Sequence, residues 1–434
     1  MIKRLVFNKS DFVRNTFTLI TGTALAQAIP ILLTPLLSRL YTPSDWGNFA
    51  FFMSVVSGLV VFASMRYELA IFLPKDNEDA LHLVKLCVLI CVLLSTCVLA
   101  VSLIIKFFFS SVFISKPFFF RWLYLVPLLL LITGLFQIFA NYLNRSKNYK
   151  TIAGLRVTNS LTTVVVNVAE GFARISTLGL LMGTFAGQLV TTSAAAFRWL
   201  KNVPSTFSVR PDWRKIKEQA TKYKEFPKIN SLQALVDMLQ VNGPIYLITY
   251  FFPGEILGSY YFAMRILQAP LSLIAAAIAQ VFYQRVSEDY NNNIPLRGIT
   301  KGTLKKAVLL ALPIFIILTF FAKRIFIIVF DQKWAVAGEF VQILSPWLFF
   351  DFLRMCISQL PLVVGKQRQL FLMSVSGNII LFASLVYAGI VTHDIKTGFY
   401  MMSTLLSVQA IAVLCWLYRI SNLNTYNDAI SDRA

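Results

Sequence analysis

Runs of about twenty predominantly apolar residues recur along the whole chain, separated by short polar breaks. A helix of ~20 residues rises about 30 Å, the thickness of a bilayer's hydrocarbon core. Within hydrocarbon every backbone N–H and C=O must find a partner inside the protein, which limits spanning segments to helices or closed barrels, and a barrel strand needs only ~10 residues. The runs therefore predict helices. Twelve are read, at 15–38, 46–66, 82–105, 122–142, 151–170, 177–199, 228–251, 256–283, 307–330, 338–361, 370–391 and 398–418. The fold class is an all-α polytopic membrane protein. Composition agrees: 14% of residues are charged, against about 25% in soluble domains. The first run, Phe17 to Leu37, exceeds a cleaved signal core and lacks a small-x-small cleavage site, so it reads as a retained span.

Charge sets the orientation. The loops fall into two alternating sets, and the set holding the N-terminus, 67–81, 143–150, 200–227, 284–306, 362–369 and the C-terminus carries well over twice the Lys and Arg of the other. By the positive-inside rule that set is cytoplasmic, with both termini inside. The net charge of +20 is then a matter of sidedness and does not call for nucleic acid. The most basic loop contains "RPDWRKIKEQATKYKEF", where Trp213, Ile216, Ala220 and Tyr223 step by three or four. This predicts a basic amphipathic helix started by Pro211, a surface linker suited to membrane lipids of an anionic leaflet.

Six spans precede that linker and six follow, so the halves share one orientation and relate by a two-fold along the membrane normal. A shift of 214 takes Pro30 to Pro244, Thr16 to Asn230 and Thr23 to Asp237; a shift of 210 takes Pro43 in "RLYTPSDWGNF" to Pro253 in "YFFPGEILGSYYF". The expected domains are an N-lobe at 1–199, the linker at 200–227 and a C-lobe at 228–434, each lobe a six-helix bundle.

Spans 1 and 7 carry polar stripes: Thr16, Thr23, Gln27, Thr34 and Ser38 in the first, Asn230, Gln233, Asp237 and Gln240 in the second. Interhelical hydrogen bonds account for threonines alone; Asp237 points to function, since ionisable residues at such depth are costly. It is the candidate for H+ or Na+ coupling. Pro30 and Pro244 each remove a backbone donor at matching places and mark bends. Arg265 lies ~13 Å into span 8, near the midplane, and needs a partner or a substrate. Arg156 and Arg354 lie nearer the cytoplasmic ends of spans 5 and 10, and Arg66 ends span 2. Against these stand Asp237, Asp351 and, at an edge, Glu68. Asp351 and Arg354 are three apart and suited to neutralise each other; Arg66 is placed to snorkel; an Asp237–Arg265 bridge would make Arg265 a gate. The excess of arginine suits an anionic ligand, and guanidinium forks suit phosphate.

Catalytic and metal signatures are absent. There is no P-loop, GxSxG, HExxH or strand-flanked GxGxxG. The five cysteines (Cys87, Cys91, Cys97, Cys356, Cys415) lie in apolar segments without metal spacing, and His82 and His393 are far apart at span ends.

The stretches "LLTPLLSRLYTPSDWGNFAFFMSVVSGLVVFASMRYELAIFLPKDNEDA" and "GSYYFAMRILQAPLSLIAAAIAQVFYQRVSE" resemble bacterial polysaccharide flippases, the O-antigen and capsule repeat-unit translocases of the multidrug/oligosaccharidyl-lipid/polysaccharide exporter superfamily. The resemblance implies a two-lobed, V-shaped, non-enzymatic transporter of the bacterial inner membrane with no cofactor. It would carry an undecaprenyl-diphosphate-linked oligosaccharide to the periplasmic leaflet through a cationic central cavity, with Arg66 and Arg265 on the matching motifs. The pathway's polymerase and chain-length regulator would be its partners. A cation-coupled drug exporter of the same superfamily would want an acidic cavity instead, and an O-antigen polymerase or ligase a large periplasmic loop.

Overall fold

The computed structural model describes residues 9–108, 117–202 and 212–422. Among them every regular element is helical. In chain order these are α1 (Lys9–Leu32), α2 (Thr34–Leu40), α3 (Pro43–Val60), a 3-10 helix (Tyr67–Phe72), α4 (Asn77–Phe108), α5 (Pro117–Arg121), α6 (Leu125–Arg145), α7 (Tyr149–Phe172), α8 (Thr177–Asn202) and α9 (Trp213–Lys222). A π-helical turn (Phe226–Asn230) leads into α10 (Ser231–Phe251), α11 (Gly254–Asn291) and α12 (Arg297–Phe330). The chain continues through α13 (Ala335–Cys356), α14 (Leu360–Val363), α15 (Gln367–Tyr387) and α16 (Ile395–Ile420). Two compact units divide at Gly243–Pro244, inside α10.

Among the described residues ten helical segments are long and apolar enough to cross a membrane, which makes this a multi-pass membrane protein. The other two expected spans are also helical, but α3 opens on "PSDWGN" and α10 carries the polar stripe, so neither is among the ten. Several boundaries differ from the apolar windows. The first span breaks at Leu33, just after Pro30, and Thr34 Oγ1 donates back to Pro30 O at 2.6 Å. The second span ends at Val60 instead of 66. The expected loop 284–306 is mostly helix, because α11 and α12 run on past the hydrocarbon-length stretch and meet in a tight turn at 292–296.

In the first unit, α7 is gripped on two sides. On one side Gly22 of α1 lies so close to α7 that a Cβ there would stand 2.4 Å from Ala153 Cβ. On the other, α8 presents Gly179, Gly183 and Gly187 at four-residue spacing to Glu170, Asn167 and Thr163 of α7. Added Cβ atoms would fall 1.8 Å from Asn167 Oδ1 at Gly183 and 2.2 Å from Thr163 Oγ1 at Gly187. Lipid tails give helices no hydrophobic reason to associate, so close backbone approach and polar contacts supply the attraction instead. Asn159 Nδ2 donates to Thr191 Oγ1 at 3.2 Å along the same seam.

The "RLYTPSDWGNF" turn is a latch onto these helices. Thr42 caps α3 and exchanges hydrogen bonds with Asp45 in a capping box. Thr177 Oγ1 donates to Asp45 Oδ1 at 2.9 Å, and Tyr41 OH donates to Asn167 O at 2.7 Å. The second unit holds its corresponding end differently, with aromatic rings: Phe262 of α11 stacks on Trp334 at 3.7 Å and meets Phe326 and Phe330 of α12 edge-on. Pro253 caps α11 with no side-chain hydrogen bond, so the capping box belongs to the first turn alone.

The linker forms its amphipathic helix, α9, but Asp212 caps it, accepting from the N–H groups of Arg214 and Lys215; Pro211 lies outside the described residues. Ile216 and Gln219 are buried, Lys215 Nζ contacts Glu78 Oε1 at the start of α4, and Tyr67 OH donates to Ala220 O at 2.9 Å. The helix therefore seats its apolar side on protein, leaving Trp213, Arg214, Lys217 and Lys222 exposed.

Candidate functional site

Pro30 shapes the α1 side of the site. With no N–H, it cannot bond to Ala26 O, one turn back. In hydrocarbon that carbonyl needs another donor, and Ser160 Oγ of α7 donates to it at 2.6 Å. One turn away on both helices, Arg156 Nη1 donates to Thr23 Oγ1 at 2.5 Å, while the rest of the exposed Arg156 side chain is uncovered. Gln27, a turn beyond Thr23, holds its Oε1 buried without a hydrogen-bond partner. Thr23, Gln27 and Arg156 thus gather on the α1–α7 seam. Thr16 is among residues whose side chains are not described.

The segment after α3 differs most from expectation. The chain leaves the helix and places two successive non-glycine residues, Met65 at φ 50° and Arg66 at φ 63°, in the left-handed region, where each costs about 1–3 kcal/mol unless its surroundings hold it. Backbone hydrogen bonds brace the turn, from Met65 N–H to Phe62 O at 3.1 Å and from Tyr67 N–H to Ser64 O at 3.0 Å. Arg145, in the last turn of α6, donates to Ile71 O at 3.1 Å and Phe72 O at 3.3 Å, satisfying carbonyls at the end of the 3-10 helix. Arg66 is accordingly not a snorkelling residue at a helix end: it is half-buried, and its Nη1 reaches Glu68 Oε1 at 3.4 Å. Glu68, expected at an edge, is only 4% exposed and accepts a second hydrogen bond from Ser64 Oγ. Arg66 Nε is buried without a hydrogen-bond partner.

In the second unit Arg354 donates from Nε and Nη2 to Asp351 Oδ1 at 2.9 and 2.6 Å. Sharing one carboxylate oxygen, this pair is largely self-neutralised. Arg265 is half-buried on α11. Elsewhere in this unit Glu339 of α13 ties together Lys323 of α12 at 2.6 Å and Lys396 of α16 at 2.7 Å.

The α10 stripe divides. Gln233, Asp237 and Gln240 are exposed, as are the apolar Leu232, Val236 and Val241 around them, so this stretch has little protein against it. Asn230 is not on the same helical face in the expected register, because it sits in the π-helical turn before α10 begins. Asn242 to Ile245 are buried, Pro244 included, while Tyr250 near the end of α10 is exposed.

The structure thus joins Arg156 with Thr23, Arg66 with Glu68, and Arg354 with Asp351. Sequence reasoning missed Ser64, Arg145 and Ser160. Ser160 carried a legible signal, being four residues after Arg156 and so on its face of α7; the GxxxGxxxG of α8 was equally visible. Ser64 and Arg145 carried none. Among the described residues no group of three or more His, Cys, Asp or Glu is arranged to hold a metal ion, and Cys87, Cys91, Cys97, Cys356 and Cys415 are all free thiols.

Comparison with known proteins adds the following. A family model described as "Polysaccharide biosynthesis protein" matches residues 36–339. No curated protein matches the sequence. Among solved structures, the lipid II flippase MurJ in an inward closed conformation superposes with a TM-score of 0.69 at 12% identity, over 96% of this chain and 89% of that one. A MOP superfamily transporter from Pyrococcus furiosus superposes at 0.54 and 13% identity, over 94% and 95%. An inward-facing MATE family multidrug resistance transporter gives 0.55 and 15%, over 94% and 94%. At these identities the likeness is one of fold, and the fold is that of the MOP transporters.

Proposed function

Since this chain belongs to the polysaccharide biosynthesis protein family, we propose that it is a flippase. Its cargo is an undecaprenyl-diphosphate-linked oligosaccharide unit, moved by alternating access from the cytoplasmic to the periplasmic leaflet of a bacterial inner membrane, with both termini cytoplasmic. The observation that carries this reading is the state of two guanidinium groups in the first unit. Arg156 spends one N–H on Thr23 and remains exposed, and Arg66 has a single long contact to Glu68 with a buried Nε left over. Charge kept within or beside the spans of a membrane protein marks a functional site, and unused N–H donors in a planar fork match phosphate oxygens. Arg265 is a further candidate for the diphosphate. Arg354 moves to second rank because Asp351 already takes its donors.

The hinge elements fit a protein that must open on two sides in turn. The helix break at Leu33 follows Pro30, and α10 changes from uncovered to buried across Asn242–Pro244. Of the carboxylates, Asp351 is occupied by Arg354, while Asp237 is uncovered by protein and open to a coupling proton or sodium ion. A cation-coupled drug exporter would place carboxylates where this chain places arginines.

The test is complementation of a flippase-deficient strain. Arg66→Ala and Arg156→Ala, at normal membrane abundance, are expected to lower surface polysaccharide at least tenfold each. Full restoration by both would refute the phosphate reading.

A further inference from the structure

Glu68 is a nearly fully buried carboxylate whose only cationic contact among the described residues is the residue proposed above to bind phosphate. Its two oxygens are accounted for: one accepts from Ser64 Oγ, the other meets Arg66 Nη1 at 3.4 Å, longer than the ~2.7–2.9 Å of a strong charge-assisted hydrogen bond. Arg66 itself sits on a left-handed residue next to another, Met65, and keeps a buried Nε without a hydrogen-bond partner. The pair is loosely made, on strained backbone, with spare donor capacity on the cation.

From this geometry we infer that Arg66 exchanges partners: the substrate's diphosphate displaces Glu68 from the guanidinium, and Glu68 takes up one proton as it is released. The inference rests on the phosphate reading of Arg66 and adds a proton to it.

The physical argument is one of solvation. Once phosphate holds Arg66, the carboxylate of Glu68 is left in a dry site beside new negative charge. A buried carboxylate without a cation is among the most costly groups a protein can hold, and both desolvation and a neighbouring anion favour its neutral form. Among the described residues no second cation pairs with Glu68. From α4 its titratable neighbour is the buried Cys87 thiol, a neutral group that supplies no cation. Arg145 of α6 is engaged with the carbonyls of Ile71 and Phe72. Lys228 in the π-helical turn is exposed. Ser64 serves both states, because a hydroxyl donates to a carboxylate and accepts from a carboxylic acid. The balance is simple: one proton from solvent joins one Glu68 oxygen, no covalent bond of the substrate changes, and the proton leaves when the diphosphate leaves and Arg66 returns.

The consequence reaches the linker. Tyr67 lies between the two exchanging residues, and its hydroxyl holds Ala220 O of α9. Repartnering of Arg66 therefore acts on the backbone that anchors α9.

The experiment is titration of farnesyl diphosphate into the purified full chain in nanodiscs, by calorimetry in two buffers of different ionisation enthalpy. The wild type is expected to take up about one proton more per bound ligand than Glu68→Gln, which should bind at least as tightly. In infrared difference spectra a carboxylic-acid C=O band should appear on ligand addition to the wild type. This second measurement needs no variant. Equal proton uptake in wild type and Glu68→Gln, or no such band in the wild type, would overturn the inference, and the phosphate reading would still stand if Arg66→Ala weakened binding. Binding unaffected by Arg66→Ala would instead remove the phosphate reading itself.

Discussion

The contact between Ser160 and Ala26 allows a sharp test of how the bent first helix is held. Pro30 leaves the carbonyl of Ala26 without its usual donor, and Ser160 Oγ supplies one at 2.6 Å; Ala26 is 7% exposed. Ser160→Ala orphans that carbonyl. An unsatisfied buried acceptor costs about 1–3 kcal/mol, whereas hydrogen bonds measured in membrane proteins average about 0.6 kcal/mol. Because proline denies this carbonyl any alternative partner along its own helix, the expected cost is ~1 kcal/mol, or roughly a fivefold shift in the folding equilibrium. Pro30→Ala restores an N–H to the carbonyl from within α1. In that background Ser160→Ala should cost close to nothing, so the two substitutions should couple by most of that ~1 kcal/mol. The assay is reversible unfolding of the four proteins in mixed micelles under increasing SDS, followed by near-UV circular dichroism. If Ser160→Ala costs the same with and without Pro30, the serine does not stand in for the missing donor and the account of the bend is wrong.

Other perturbations follow from single contacts. Gly183→Ala drives a Cβ to 1.8 Å from Asn167 Oδ1 and 2.7 Å from Thr163 O, so it should cost about 1–3 kcal/mol by overpacking and lower the melting temperature. Gly154→Ala meets nothing within 4 Å and should stabilise by up to ~1 kcal/mol in the same melt. Asp394 caps α16; the Thr397 hydroxyl, with the N–H groups of Thr397 and Lys396, holds its carboxyl below the usual value of 3.8. A depressed native pKa gives stability that is complete above that value and lost as pH falls through the native one. Asp394→Ala should therefore be about 1 kcal/mol less stable at pH 7 and equally so at pH 5, the gap closing only in strong acid. Lys215→Ala combined with Tyr67→Phe removes two of the contacts seating α9, and should speed hydrogen exchange of the Trp213–Lys222 amides while leaving α4 unchanged.

Sequence alone was enough to determine that this chain lives in a membrane and is helical there, because hydrocarbon forbids unpaired backbone and a run of twenty apolar residues has one common solution. It also showed the amphipathic helix of the linker and offered Asp351 with Arg354 as one pairing among several, since both are local matters of spacing along one helix. What it missed was decided by contacts far apart in the chain. Nothing in "SMRYEL" calls for left-handed backbone by propensity; α3 stops at Val60, and the segment after it is held by Arg145 on the carbonyls of Ile71 and Phe72 and by Ser64 on Glu68. Within that segment Glu68 is buried, and Arg66 changes from a snorkelling cation to half of an ion pair. Likewise Ser160 has meaning only once α7 lies against the proline bend of α1. Hydropathy records the solvent each residue meets, but a donor and an acceptor can choose each other only after the fold has brought them together.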